Sequence, residues 1–258
     1  MRAYISKTGK PLLIVLLLVA IVFAAPVIMT VALSLPFGGQ RVSLGQYAEL
    51  LITNYTFLRF FWNAALYAVC ITLGCIALSF PLGFLFAKVK FPGRDAIFFV
   101  YIIVMMLPFQ ATLLPNFIQL KDWGLMNTVW ALILPAAFSP FAVFLFRQVM
   151  KSIPNELIEY TLLETSSTMK LLRHIIFPQT RPAVVALSIM VFCESWNMVE
   201  QAMLFAYNAP QLHPLSVVLP LLPGDVTYAA ATVYMFPILI LFFLCKEALS
   251  SAMEHFHW

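Results

Sequence analysis

The sequence predicts an all-α polytopic membrane protein with six transmembrane helices, and three observations predict it. Of its 258 residues, 62% are hydrophobic and 10% are charged, whereas a soluble domain carries about 25% charged residues. Mean hydropathy is +0.94. Six apolar segments reach the roughly 20 residues that a helix needs to cross a bilayer. The cations between those segments are distributed very unevenly, as in chains that thread a membrane with one fixed orientation.

The six segments cover about residues 11–35, 61–87, 96–118, 129–150, 183–207 and 228–249 of a single transmembrane domain, 1–258. The first is far longer than a signal-peptide core and has no convincing cleavage site after it, so it is expected to be retained. Pro26, Pro81, Pro108, Pro115, Pro135, Pro140 and Pro237 fall inside or at the edges of the segments. In lipid such prolines are tolerated where neighbouring helices satisfy the freed carbonyls, which suggests kinked helices in a packed bundle. Whether the kinks shape a path or are simple irregularity is left open at this level.

Orientation follows from the cations. Arg2, Lys7, Lys10, Lys88, Lys90, Arg94, Arg147, Lys151, Lys170, Arg173, Arg181 and Lys246 lie on one side, and Arg41, Arg59 and Lys121 on the other. Loops rich in Lys and Arg stay in the cytoplasm, so both termini and the connection 151–182 are expected there. On the opposite side, Ser43-Leu44-x-x-Tyr47-x-x-Leu50-Leu51 has the apolar spacing of a short surface helix. The connection 208–226 carries Pro210, Pro214, Pro220 and Pro223 around an apolar run, Leu215–Leu222. That run is too short to span and too apolar for a free loop, so folding onto the bundle's outer surface is one reading of it.

Several function classes drop out. The net charge of +4 is spread over loops rather than gathered in a patch, which argues against nucleic acid. There is no G-x-x-x-x-G-K-[ST] run to cradle a nucleotide's phosphates, no nucleophile elbow and no H-E-x-x-H. Cys70, Cys75, Cys193 and Cys245 sit in or beside apolar segments without metal-type spacing, and His174, His213, His255 and His257 do not cluster. No catalytic site, no metal and no cofactor are expected in this chain.

The longest run that cannot enter a bilayer is Lys151–Pro182, KSIPNELIEYTLLETSSTMKLLRHIIFPQTRP. Ser152 and Pro154 signal the start of a short helix with Glu156 and Glu159 in its early turns. Thr165, Ser166, Ser167 and Thr168 interrupt it, because their side chains compete for backbone hydrogen bonds. A second short helix is expected from about Ser167 to Ile176, ended by Pro178. Met169, Leu172, Ile175 and Ile176 share one face of it, with Lys170, Arg173 and His174 elsewhere. The first helix is apolar nearly all round (Leu157, Ile158, Tyr160, Leu162, Leu163), so it needs cover on more than one side.

These residues carry a resemblance. Ile153-Pro154-x-Glu156-Leu157-x-Glu159-Tyr160-Thr161-x-x-Glu164-Thr165-Ser166, ending at Phe177-Pro178, resembles the coupling-loop motif of permease subunits of binding-protein-dependent ABC importers. The family pattern is roughly I-P-x-E-L-x-E-A-A-x-x-D-G-A. Glu159-Tyr160-Thr161 stands for Glu-Ala-Ala and Glu164-Thr165-Ser166 for Asp-Gly-Ala. Thr165 replaces the usual turn glycine, and a β-branched residue disfavours positive φ. Pro140–Gln148 before the loop, Trp196-Asn197 after it, and Phe57-Leu58-Arg59 with Asn63 are similar to the carbohydrate type, maltose-permease-like.

The resemblance implies the six-helix type I importer permease fold in a bacterial or archaeal cytoplasmic membrane. It also implies a second homologous permease, two ATPase subunits that bind ATP and Mg, and an extracytoplasmic sugar-binding protein. The ATPase-coupling set would be Glu156, Leu157, Glu159, Tyr160, Thr161, Glu164, Thr165, Ser166, Arg173 and Pro178. Sugar or oligosaccharide import by alternating access is the expected function.

For the path, polar side chains within a span are costly and usually face an interior. On one continuous helix Glu194, Asn197 and Gln201 would form a single stripe, with Glu200 off it. Trp196 beside that stripe would suit a sugar face. Helix–helix hydrogen bonding is the plainer reading of the stripe. Gln110, Thr112 and Asn116 form a weaker second set. A polyamine, amino acid or phosphate permease is the alternative within transport, and a non-transporting scaffold with an effector-binding loop is the alternative outside it. A cationic solute would want more carboxylates in the spans, and an anionic one would want Lys or Arg there.

Overall fold

The computed structural model describes residues 5–35, 45–53, 55–164 and 167–255. Among them every regular element is helical. The elements are α1 (Ile5–Ser34), α2 (Tyr55–Lys88), α3 (Arg94–Met105), α4 (Phe109–Asp122), α5 (Val129–Ala136), α6 (Pro140–Lys151), α7 (Asn155–Glu164), α8 (Thr168–Trp196), α9 (Glu200–Phe205) and α10 (Gly224–His255). Short helical turns lie between α1 and α2 and between α9 and α10. Five runs are long and apolar enough to cross a membrane, or six if the bent pair α3–α4 counts as one span.

The expected third span is therefore two helices. Its break falls at Leu107–Pro108, and the axes turn by 101°. Pro108 lacks the N–H that would continue α3, and its extended backbone (φ −63°, ψ 144°) makes it the residue before α4 instead. The expected fourth span is interrupted after Ala137, where Ser139 caps α6 by accepting from the Ala142 amide at 3.3 Å, with Pro140 in the first turn.

The expected fifth span starts earlier than 183 and ends earlier than 207. Pro178 does not stop a short helix, because helical structure runs without a gap from Thr168 to Trp196. A π-helical turn, Leu172–Ile176, absorbs the proline. There the Phe177 amide bonds back to the Leu172 carbonyl, five residues away. The wider turn relieves the ring clash that an α-helical register would impose.

The chain forms two compact units, residues 1–58 with 219–237 and residues 59–218 with 238–258. In the first, Ser34 Oγ and Tyr47 OH share a hydrogen bond of 2.6 Å, and Leu50 is fully buried. Of the short surface helix expected over Ser43–Leu51, Ser43 and Leu44 lie outside the described residues, and the rest is present as Gly45–Ala48 followed by a π-helical turn. None of the most apolar window of α1 is buried.

The second unit holds the main core. Tyr67, Ile71, Phe80, Phe84, Leu132, Phe146, Met150, Leu171, Ile176, Leu187 and Phe205 are buried together in it. Helix α6 packs on α8 and on α3, and α9 packs on α4 and α5. Gly83 permits the closest approach. A Cβ there would lie 2.5 Å from the Phe146 Cβ, so α2 and α6 touch backbone to backbone at that point. The 210–218 stretch folds onto α2. Asn63 Nδ2 donates to the Gln211 and His213 carbonyls at 2.9 and 3.1 Å, and Tyr67 OH to the Leu212 carbonyl at 2.8 Å. Leu215 and Val217 are buried, so within this unit the start of the apolar run is core.

Candidate functional site

Helix α7 is held at its start from the end of α2. Lys88 Nζ donates to the Ile153 carbonyl at 2.5 Å and to Asn155 Oδ1 at 2.9 Å. Ser152 closes α6 by donating from its hydroxyl to the Val149 carbonyl at 2.7 Å. Ile153 and Ile158 are buried, and Leu157 packs half-buried against the same core. Thr161 donates to the Leu157 carbonyl at 2.8 Å, which ties its hydroxyl within the helix.

The opposite face of α7 is open. Glu156 and Glu159 are exposed, Tyr160 is 74% exposed and Leu163 86%. Large apolar side chains in open solvent, outside any span, mark a surface made to be covered. Ser167 caps α8 by accepting from the Lys170 amide at 3.4 Å. Met169 adds a further uncovered apolar side chain at 71% exposure. Arg173 and Pro178 are exposed on the same helix, while Leu171 and Ile176 point into the core.

The single apolar face expected for Met169, Leu172, Ile175 and Ile176 is thus divided. The π turn shifts the register, so Leu171 takes a buried place and Met169 an exposed one. Thr165, Ser166 and the side chain of Glu164 lie outside the described residues. The turn where threonine stands for glycine is therefore not part of this geometry.

The expected polar stripe is not continuous. Helix α8 ends at Trp196, Asn197 caps it with its Nδ2 donating to the Cys193 carbonyl at 2.8 Å, and α9 begins only at Glu200. An even 100° per residue does not carry across that break. Glu194 and Asn197 are exposed, whereas Gln201 on α9 is buried. Trp196 is fully buried, edge-on to Phe61 with centroids 5.6 Å apart and stacked on Phe192 at 5.8 Å. Its ring is a core element and is not presented to a solute. In the second set, Gln110 is exposed, Asn116 is half-buried, and Thr112 donates to the Phe109 carbonyl at 2.7 Å.

Sequence reasoning gave Lys88 and Arg147 no place in the site. Arg147 is buried; it donates to the Phe86 carbonyl and to Asp95 Oδ1, both at 3.2 Å, and lies 3.7 Å over the Phe98 ring. One side chain thus joins the end of α2, the start of α3 and α6. One sequence signal for Arg147 was a cation placed inside an otherwise apolar run.

With this geometry in hand, comparison with known proteins is decisive for the family. The family model described as "Binding-protein-dependent transport system inner membrane component" matches residues 79–255. The chain belongs to this family. The matched region includes α7, the π turn and both parts of the broken fifth span.

Among curated relatives, the sn-glycerol-3-phosphate transport system permease protein UgpE of Brucella abortus (strain 2308) is 31% identical over 161 residues, 62% of this chain and 54% of that one. The arabinooligosaccharides transport system permease protein AraQ of Halalkalibacterium halodurans is 26% identical over 220 residues, 83% of this chain and 79% of that one. The first-ranked relatives are thus matched over about half of their length.

Among solved structures, a bacterial ABC transporter involved in the import of the acidic polysaccharide alginate superposes with a TM-score of 0.85 at 18% identity. That match covers 95% of this chain and 98% of the other. A chain of the MetNI methionine ABC transporter gives 0.56 at 14% identity, covering 78% and 97%. The fold of this family member is that of a type I ABC importer permease.

Proposed function

We propose that this chain is the membrane-spanning subunit of an ATP-driven importer, passing a sugar or oligosaccharide by alternating access under the control of a separate ATPase. The observation that carries this reading is the exposed face of α7 and the start of α8. Tyr160, Leu163 and Met169 stand uncovered beside Glu156 and Glu159, on helices fixed from behind by Ile158 and Lys88. An ATPase subunit would cover that face, binding ATP and Mg itself, with no cofactor in this chain. Two ATPases, a second homologous permease and an extracytoplasmic sugar-binding protein complete the proposed assembly.

The coupling is mechanical. Because Thr168–Trp196 is one unbroken helical span, displacement at Met169 passes into the membrane with no loop to absorb it. ATPase closure would favour one of two bundle arrangements through its differential binding energy. A neutral solute suits the spans better than an anion, because the buried cation Arg147 is already engaged by Asp95 and the Phe86 carbonyl. Glu194, Asn197 and Gln201 remain the proposed path residues, and after the break at Asn197 they would act from two helices.

The test is ATP hydrolysis by the purified complex in lipid, with and without binding protein and sugar. Glu159→Ala is expected to abolish sugar-stimulated hydrolysis while the membrane core stays folded. Unchanged stimulation would remove Glu159 from this role. If no ATPase co-purifies with the chain, the importer reading fails and a scaffold role replaces it.

A further inference from the structure

We infer that a basic cavity at the membrane-proximal root of α7 is a binding site for the phosphate of an anionic phospholipid. The cavity has a volume of about 530 Å³ and is walled by Lys88, Lys90, Arg94, Lys151, Asn155 and Glu159. That volume lies within the roughly 300–1,000 Å³ of small-molecule sites. Four cations face one carboxylate across it. Lys88 is engaged with the Ile153 carbonyl and Asn155, and Arg94 with Asp95 at 3.2 Å. Among the described residues, Lys90 and Lys151 make no ion pair, which leaves two ammonium groups at the cavity for a ligand.

The depth of the cavity selects the ligand. The apolar runs Thr56–Lys88 and Val129–Lys151 end on its wall, and the bent pair begins there at Arg94. Three spans terminating together place it at the headgroup level of one leaflet. On α3, Ile97, Val100 and Val104 continue away from Arg94 at helical spacing and are 51%, 58% and 45% exposed. A ligand with an anionic head and apolar chains matches both features at once. An acidic side chain of a soluble protein would match only the first. Basic pockets at the ends of membrane helices hold lipid headgroups by this combination of charge and depth.

The cavity's walls come from the end of α2, the turn before α3, the end of α6 and the start of α7. A bound phosphate therefore braces α7 against the membrane helices. The inference rests on the membrane-spanning reading and needs neither the importer function nor the identity of any solute.

The test measures lipid retention by the intact chain in mixed micelles, using native mass spectrometry. Phosphatidylglycerol and phosphatidylcholine of the same acyl composition are offered, alone and with inorganic phosphate as competitor. Phosphatidylglycerol is expected to be retained preferentially. The double variant K90Q/K151Q should weaken that retention about tenfold to thirtyfold, two surface cations each contributing on the order of 1 kcal/mol to an anionic lipid. K90R/K151R should keep it, and K121Q, on a distant exposed lysine, should leave it unchanged.

Equal retention of the two lipids, or wild-type retention by K90Q/K151Q, would overturn the proposal. Displacement by dilute inorganic phosphate without any lipid preference would assign the cavity to a free anion instead. If K90Q/K151Q spares lipid but loses a co-purifying soluble subunit, the cavity belongs to a protein partner. Because neither ATP hydrolysis nor transport is read, failure here is distinguishable from failure of the importer proposal.

Discussion

Gly83 sets the tightest constraint at the scale of single residues. Its missing side chain lets α2 and α6 meet, and a Cβ there would stand 2.5 Å from the Phe146 Cβ and 3.2 Å from the Arg147 amide nitrogen. Neither neighbour is the far end of a flexible chain, so the helices must separate. Gly83→Ala is expected to destabilise the chain by about 1–3 kcal/mol, the usual cost of overpacking, measured as a lowered midpoint of thermal unfolding in detergent. Gly74, whose Cβ would lie 3.1 Å from the Ala137 Cβ, should tolerate alanine better. Arg147 contributes in the other direction, by filling. Arg147→Ala removes two hydrogen bonds, a ring contact over Phe98 and a buried stem, and should cost about 2 kcal/mol. Asp95→Asn should cost less in the same melt, because Asp95 is 71% exposed and an amide oxygen can still accept. Equal losses in the two variants would show that the ion pair, rather than packing, dominates.

At the scale of elements, the 210–218 stretch gives a clean measurement. Asn63 and Tyr67 donate to three of its carbonyls, and its residues Leu215 and Val217 are buried. Removing both donors with Asn63→Ala and Tyr67→Phe should cost on the order of 1 kcal/mol per bond. The expected readout is faster amide hydrogen exchange across 211–218, with α6 and α8 unchanged. Uniform acceleration throughout the second unit would instead make this stretch part of the cooperative core. The hydrophobic lengths of the spans were legible in the sequence because burial in lipid demands about 20 apolar residues whatever the packing. The breaks were not. Pro108 and Pro178 look alike as letters, yet one turns the chain by 101° and the other is absorbed by a π turn. The difference depends on whether neighbouring elements leave room for a wider turn, and no local pattern records that. The unbroken stripe of Glu194, Asn197 and Gln201 failed for the same reason, since 3.6-residue periodicity presumes the helix it was meant to predict.

On the scale of the whole molecule, the described residues leave large apolar side chains uncovered. The apolar window of α1 is unburied, Tyr160 and Leu163 on α7 lie outside the spans at 74% and 86% exposure, and Met169 at the start of α8 is 71% exposed. The short helix after α6 was legible because its charged and apolar residues keep a helical spacing where no bilayer can hide them. What the sequence could not supply was which of its apolar residues the chain uses for itself. Ile158, Leu171 and Ile176 turn inward at 8%, 1% and 0% exposure, whereas Tyr160, Leu163 and Met169 face out. That division yields a prediction about assembly. If the outward residues exist for a partner, Tyr160→Ser with Leu163→Ser should weaken association with the proposed ATPase subunit tenfold or more, since central apolar anchors carry about 2 kcal/mol or more each at interfaces. The unfolding midpoint of the isolated chain should stay within about 0.5 kcal/mol of wild type, as for substitutions in open solvent. Ile158→Ala should behave oppositely, lowering the midpoint by about 2–5 kcal/mol through the cavity it leaves. Paired pull-down and melting measurements read both quantities on the same preparations. A double serine variant that melts early would place Tyr160 and Leu163 in the chain's own stability, and the exposed face of α7 would then no longer argue for a partner.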